Sequence, residues 1–263
     1  AAIGIENGWV IGKDLSLIKT YHELGARYIT LAHNGHNDIC DSANPRPQLG
    51  DEESEHAGVS EFGAQVISEM NRVGIMVDVS HISKKSMLDA VRLSRAPVIA
   101  SHSSTRALCD VSRNMDDEQL QALKENGGVM QTVALAGFVK VDQDRNEAIA
   151  ALREELGLQD RGRRERGGQT VQQSETEFAE RQSRENQFEE RMTAIDEQYP
   201  PANVQDFVDH IDHAVNLIGI DHVGISSDFD GGGGIVGWKD ASDTFNITLE
   251  LVGRGYSERE IAK

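Results

Sequence analysis

The chain has 263 residues, 38% hydrophobic and 27% charged, the composition of an ordinary globular protein with room for one barrel or two small domains. Its 26 Lys and Arg against 44 Asp and Glu leave a net charge of −18, which argues against nucleic acid as a partner, because a phosphate backbone would be repelled. No run of eighteen apolar residues is present to span a membrane. Cys40 and Cys109 make neither a metal motif nor a disulfide framework. A packing role is expected for them, with a single bridge left open.

Strands and helices alternate from the start. Ile3–Glu6 reads as a short strand and Asp14–Leu24 as an amphipathic helix closed by Gly25. Arg27–Ala32 is β-branched and aromatic, a strand, followed by a polar loop rich in Gly, Pro and Asn. Ser60 caps a helix that runs to Val73 and ends at Gly74. Strand Ile75–Ser80, helix Ser83–Ser94, strand Pro97–Ser101, helix Asp116–Asn126 and strand Val129–Ala134 follow. Residues 141–197 break this rhythm: rich in Arg, Glu and Gln and poor in large apolar side chains, they suggest a helical insertion turning at Gly167-Gly168, or a partly disordered linker. The pattern resumes with helix Val204–Ile218, strand His222–Ser227 and a glycine run at Gly231–Gly234, read as a flexible loop. Ser257 and Glu260 form a capping box for a last helix.

Alternating strands and helices imply a parallel α/β sheet with right-handed crossovers. Six candidate strands fall two short of a closed (β/α)8 TIM barrel. The chain also opens inside a strand, with no initiator Met and no visible signal peptide. About two βα units are therefore expected to be missing from the N-terminal side, and residues 1–263 are read as a single incomplete barrel domain. The alternative is an open, doubly wound sheet of six strands, which would concentrate its site at one switch point.

The barrel is preferred because four strands each end on a polar group: Glu6 after AAIGI, His81 after GIMVDVS, His102 after APVIAS and Asp228 after HVGISS. Catalytic zinc sites use imidazole and carboxylate ligands and leave a position open for water. His81 and His102 lie one βα repeat apart, which places them on adjacent strands. Asp230 competes with Asp228 for the place in the site. Arg113 could equally pair with Asp110 or Asp116 at the surface, and His33 could be a loop residue. His22, His56, His210, His213 and His222 carry no assigned role.

The segments IGIENG, RYITLAHNGHND, GIMVDVSHIS, RAPVIASHSSTRALCDVSRN and GISSDFDGGGG resemble the membrane (renal) dipeptidase family of the metal-dependent amidohydrolase superfamily. The resemblance covers nearly the whole chain outside residues 141–197. It implies an amidohydrolase-type barrel and a dipeptidase, including for dipeptides with a D-residue at the C-terminal position. Two zinc ions per complete subunit would share a bridging hydroxide. Glu6 then matches the bridging carboxylate, His81 and His102 the imidazoles of the second zinc, and Asp228 the acid/base residue. His33 matches the imidazole that contacts the scissile carbonyl, and Arg113 the guanidinium that holds the substrate's terminal carboxylate.

One departure stands out. The family's first zinc also needs a His-x-Asp pair upstream of the bridging Glu, and only five residues precede Glu6. The triplets His36–Asp38 and His210–Asp212 are expected to be chance matches. The reading is thus a zinc dipeptidase or a piece of one. The alternatives are another amidohydrolase acting on a lactone, cyclic amide or β-lactam, or a non-catalytic binding module. A dipeptide is the expected small-molecule partner and a homodimer is left open, as is the compartment, cytoplasm or bacterial periplasm.

Overall fold

The computed structural model describes residues 2–158 and 175–263. The chain divides into two compact units, Ala1–Lys140 with Ala202–Lys263, and Val141–Pro201.

The first unit is a six-stranded, wholly parallel sheet: β1 (Ile3–Ile5), β2 (Ala26–Thr30), β3 (Met76–Asp78), β4 (Ile99–Ser103), β5 (Val129–Val133) and β6 (Val223–Ser226). Strand order follows chain order from one edge to the other. A doubly wound sheet would reverse that order at its switch point. The observed order is that of a barrel wound in one direction, with six of the eight strands a closed barrel requires. Among the described residues β1 pairs only with β2 and β6 only with β5.

The helices between the strands are α1 (Ser16–Glu23), α2 (Glu61–Val73), α3 (Lys84–Leu93), α4 (Asp117–Asn126), α5 (Ala136–Val139) and, before β6, α8 (Val204–Ile218). Their ends follow from local chemistry. The side chains of Ser60, Ser83, Asp116 and Asn203 each accept a hydrogen bond from a first-turn backbone N–H, and those of Asp116 and Asn203 complete reciprocal capping boxes. At the other ends Gly74 and Gly127 adopt left-handed backbone that other residues enter only with strain. Ile29, Leu31, Ile67, Met70, Val77, Leu120 and Leu123 lie in the main core between sheet and helices. A second cluster gathers Phe207, Val208 and Ile211 of α8 around Trp238, Ile247 and Leu251.

Two elements depart from the sequence-based expectation. The short helix α5 follows β5 immediately, and α9 (Phe245–Gly253) lies between the glycine run and the last helix, α10 (Glu258–Ile261). Phe245, Leu249 and Val252 of α9, spaced to share one helical face, are all exposed. Cys40 and Cys109 are buried and form no disulfide.

The second unit contains α6 (Gln143–Glu155) and α7 (Glu175–Gln198). Arg145 pairs with Asp196 at 2.6 Å and the Arg153 guanidinium lies 5.3 Å from the Phe188 ring centre, so the two helices run antiparallel. The turn expected at Gly167-Gly168 lies outside the described residues.

Candidate metal centre

β1 ends at Ile5, and Glu6 is the next residue. His81 follows β3 by three residues and is itself left-handed, at φ 70°. That backbone is uncommon for a residue with a Cβ, and here it turns the imidazole toward the strand ends. A hydrogen bond from the Ala43 N–H to the His81 carbonyl at 2.8 Å holds the turn, while the nearby Ser42 hydroxyl donates to the His33 carbonyl. His102 lies inside β4, one residue beyond the expected end of that strand.

The three side chains meet. His81 Nε2 lies 3.1 Å and His102 Nε2 3.3 Å from Glu6 Oε1, and the two imidazole nitrogens are 2.7 Å apart. Atoms bound to one zinc ion at about 2.0–2.2 Å can be no more than about 4.4 Å from each other. All three separations fall inside that limit. The donor set is also right: zinc accepts both imidazole and carboxylate ligands, whereas alkaline-earth ions take oxygen ligands and do not seek the two imidazoles. The residues therefore fit one divalent ion of the zinc type. Electrostatics agree. Burial takes His81 down to about 4, so it presents a neutral ring with a lone pair.

Around this trio stand the other expected residues. The His33 ring centre lies 4.1 Å from that of His81, its Nε2 3.9 Å from Glu6 Oε1, and burial lowers its pKa. Asp228, left-handed at φ 52°, lines a cavity of about 260 Å³ together with Glu6, Tyr28, Thr30, His102 and Gln131. Residues from both edge strands therefore face one space. Burial raises the pKa of Asp228. Asp230 does not line that cavity.

Arg113 is 5% exposed, which rules out the surface pairing. Arg106 meets Asp110 instead, and Lys84 meets Asp116. The Arg113 guanidinium lies 5.2 Å from the Phe138 ring centre and donates to the His102 carbonyl at 3.3 Å, while its Nε is buried with no partner. Burial brings it down to about 10, opposed by the charges of Asp78, Glu6 and Asp228.

The His-x-Asp triplets are engaged elsewhere. His36 contacts the Ser42 N–H and the Glu52 carbonyl, and Asp38 pairs with Lys13. His210 joins Thr105 to the Val139 carbonyl, and Asp212 binds Arg254 and Tyr256. The glycine run is no slack loop. The N–H groups of Gly231 and Gly233 both donate to the Asp228 carbonyl, and a Cβ on Gly231 would fall 2.3 Å from Asp228 Oδ1. The run packs closely on the Asp228 carbonyl, with Gly231 against the carboxylate, because it has no side chains. Sequence reasoning missed Asp78, Ser101, Tyr28 and Gln131 around the site. For Asp78 a signal existed, an acidic residue inside an otherwise apolar strand.

The sequence model of the membrane dipeptidases, peptidase family M19, matches residues 1–263. Dipeptidase aclJ of Aspergillus oryzae is 34% identical over 97% of this chain and 46% of its own length. Dipeptidase 3 of Mus musculus is 28% identical over 98% of this chain and 41% of its own. The chain thus spans about half the length of the curated relatives it matches. Among solved structures, the probable dipeptidase PvdM from Pseudomonas aeruginosa superposes with a TM-score of 0.78 at 34% identity, over 98% of this chain and 64% of PvdM. A metallo peptidase from Rhodobacter sphaeroides, solved with a phosphinate mimic of the dipeptide L-Ala-D-Ala, gives 0.70 at 23% identity over 99% of this chain and 58% of its own, a likeness of fold.

Proposed function

Because this chain belongs to the membrane dipeptidase family, peptidase family M19, we propose that it supplies the catalytic face of a zinc-dependent dipeptidase. One observation carries the reading: Glu6, His81 and His102 present three ligand atoms to one point, and Asp228 lines the same cavity as Glu6 and His102. The residues provide for one ion. A second ion would share Glu6 and draw its remaining ligands from outside the described set.

When bound, zinc lowers the pKa of the attacking water toward neutrality and polarises the scissile carbonyl. The chain's own residues do the rest. Asp228 takes the water's proton and passes it to the leaving amine, and its raised pKa suits a group that must hold a proton between two steps. His33, kept neutral by burial, offers an N–H to the developing oxyanion. A well-placed donor of this kind is worth roughly 3–4 kcal/mol. Arg113 grips the terminal carboxylate of the substrate with its planar fork. Anchoring that end beside the metal centre limits the substrate to two residues. Because the anchor reads the carboxylate and not the side chain, a D-residue is accepted at the C-terminal position. The dipeptide mimic bound by the Rhodobacter sphaeroides neighbour has that configuration.

The test compares free-acid dipeptides, L,L and L,D, with their C-terminal amides, with and without a chelator. Removing the metal should abolish turnover. Arg113→Met should raise KM for the free acids by roughly 10- to 100-fold, the loss of a charge-assisted pair, and leave the amides nearly unaffected. Equal loss on acid and amide would remove Arg113 from the carboxylate, and turnover that survives exhaustive chelation would remove the metal.

A further inference from the structure

Asp78 ends β3 and is fully buried. Four donors converge on its carboxylate. The backbone N–H groups of Ser80 and Ser101 reach Oδ1 at 3.0 and 2.9 Å, and the hydroxyls of Thr30 and Ser101 reach Oδ2 at 2.6 Å each. The same Ser101 hydroxyl lies 2.8 Å from His102 Nδ1. These contacts fix the order of the protons. A carboxylate receiving four donors only accepts. Ser101 has one hydroxyl proton, and it goes to Asp78. The Ser101 oxygen can then only accept from His102, so the imidazole proton sits on Nδ1. A neutral imidazole has one N–H. In the neutral ring His102 Nε2 is therefore bare, and it is this nitrogen that faces Glu6 and His81.

We propose that Asp78 and Ser101 form a positioning relay that locks His102 in the Nδ1–H tautomer, so that Nε2 stands ready as a cation ligand. The inference rests on the reading of Glu6, His81 and His102 as a metal centre. His81 has no such partner: its Nδ1 is buried without a hydrogen bond, and its ring is set by the left-handed backbone instead. The two imidazoles are thus oriented by different means, and the relay acts on one of them.

Asp78 also has a purely structural duty. The β3–β4 ladder is thin, registered through Asp78 and Ile99, and the carboxylate accepts the Ser101 N–H. The test must therefore read the tautomer and not only stability. In an Asp78→Asn chain, the two backbone donors at the Oδ1 position require the amide oxygen there. The NH2 then occupies the Oδ2 position and donates to Ser101. The Ser101 proton turns to His102 Nδ1, and the imidazole proton is driven to Nε2.

The tautomer is read from ring 15N shifts of His102 in the metal-free full chain, with His81 as the internal reference. Wild type should show a protonated Nδ1 and a bare Nε2. Asp78→Asn should reverse the pattern, and Ser101→Ala should give a mixture. Zinc affinity, measured by competition with a chromophoric chelator, should fall about 10- to 100-fold in Ser101→Ala, the usual cost of losing a ligand's hydrogen-bond partner. Ser101→Thr, which restores a hydroxyl, should recover most of it. If Asp78→Asn does not fold, Ser101→Ala decides, since it leaves three of the four Asp78 bonds in place. An unchanged His102 tautomer in Ser101→Ala, with zinc still bound tightly, overturns the relay and leaves the metal centre standing. A tautomer that responds in a chain that takes up no zinc upholds the relay and overturns the metal centre.

Discussion

Replacing Gly233 with alanine separates the metal centre from the acid/base carboxylate. A Cβ on Gly233 would fall 1.9 Å from the Ser227 carbonyl oxygen and 2.7 Å from that of Asp228. Both obstacles are backbone, so no side chain can swing aside, and the loop must retreat by more than 1 Å to reach the shortest tolerable contact of about 3.0 Å. Forced overpacking of this kind costs about 1–3 kcal/mol, or a fall in Tm of about 3–10 °C for a chain of this size. The displaced segment carries Asp228, and a misplacement of about 1 Å at a reacting group lowers turnover on the order of 100-fold. Glu6, His81 and His102 come from other strands, so zinc affinity should stay within about threefold of wild type. Gly253, with nothing within 4 Å of its Cβ, is the control: alanine there should stabilise the chain by about 0.5–1 kcal/mol. The assay is paired: thermal melts for the loop, chelator competition for the metal, dipeptide hydrolysis for the chemistry. If Gly233→Ala hydrolyses dipeptides at the wild-type rate, the loop does not position Asp228 for catalysis. Loss of zinc and turnover together would show that loop and metal centre are one unit.

Asp41 is buried and accepts from the Ser54 hydroxyl and from the N–H groups of Glu55, His56 and Gly58. Burial alone would raise its pKa, but these bonds outweigh it and hold the carboxyl below its ordinary value. A depressed folded pKa gives stability that is complete above the unfolded value near 3.9 and is lost as pH falls through the folded one. Asp41→Asn should therefore cost about 1–3 kcal/mol at neutral pH, since an amide N–H₂ must face donors. That gap should narrow below about pH 4 in urea titrations, and a gap independent of pH would contradict the ionised assignment. Phe207, fully buried with its ring centre 5.5 Å from that of Trp238, anchors the second core cluster. Phe207→Ala should cost about 3–5 kcal/mol by denaturant unfolding, and a loss under 1 kcal/mol would mean the site collapses freely.

What the sequence disclosed and what it hid follow from the range of the interactions. Helix α8 is found residue for residue, because an Asn203 cap, an amphipathic stripe and Gly219 are all local signals. Strand limits shift by at most two residues, because these strands are short and their ends are set by neighbours. His102 belongs to β4 and not to the turn after it. Helix α9 went unseen: its apolar residues Phe245, Ile247, Leu249 and Leu251 alternate with polar ones, the period of a strand, and Phe245, Leu249 and Val252 lie in solvent, so no helical stripe stands out. At the site, the polar group closing each apolar run was visible. The burial of Arg113 was not, since Phe138 and the His102 carbonyl that receive it come from distant segments. Gly231–Gly234 looked flexible because composition records the absence of side chains and not the carbonyl they allow the chain to approach.

The backbone explains why polar groups can converge at these strand ends at all. Five non-glycine residues among those described adopt positive φ, and three of them, Asn7, His81 and Asp228, stand just beyond β1, β3 and β6. A strand sends successive side chains to opposite faces, so continued extension would carry one side chain in two away from the centre. A left-handed residue at the end breaks that alternation and swings the chain back over the sheet. Each such residue costs about 1–3 kcal/mol unless the surroundings over-determine it. Here they do. The Asn7 side chain receives the Trp9 N–H and the Asn37 amide, the His81 carbonyl receives the Ala43 N–H, and the Asp228 carbonyl receives two glycine N–H groups. The His81 imidazole and the Asp228 carboxylate consequently remain available to a cation and a substrate, because the hydrogen bonds that hold these two turns fall on the backbone carbonyls of the same residues.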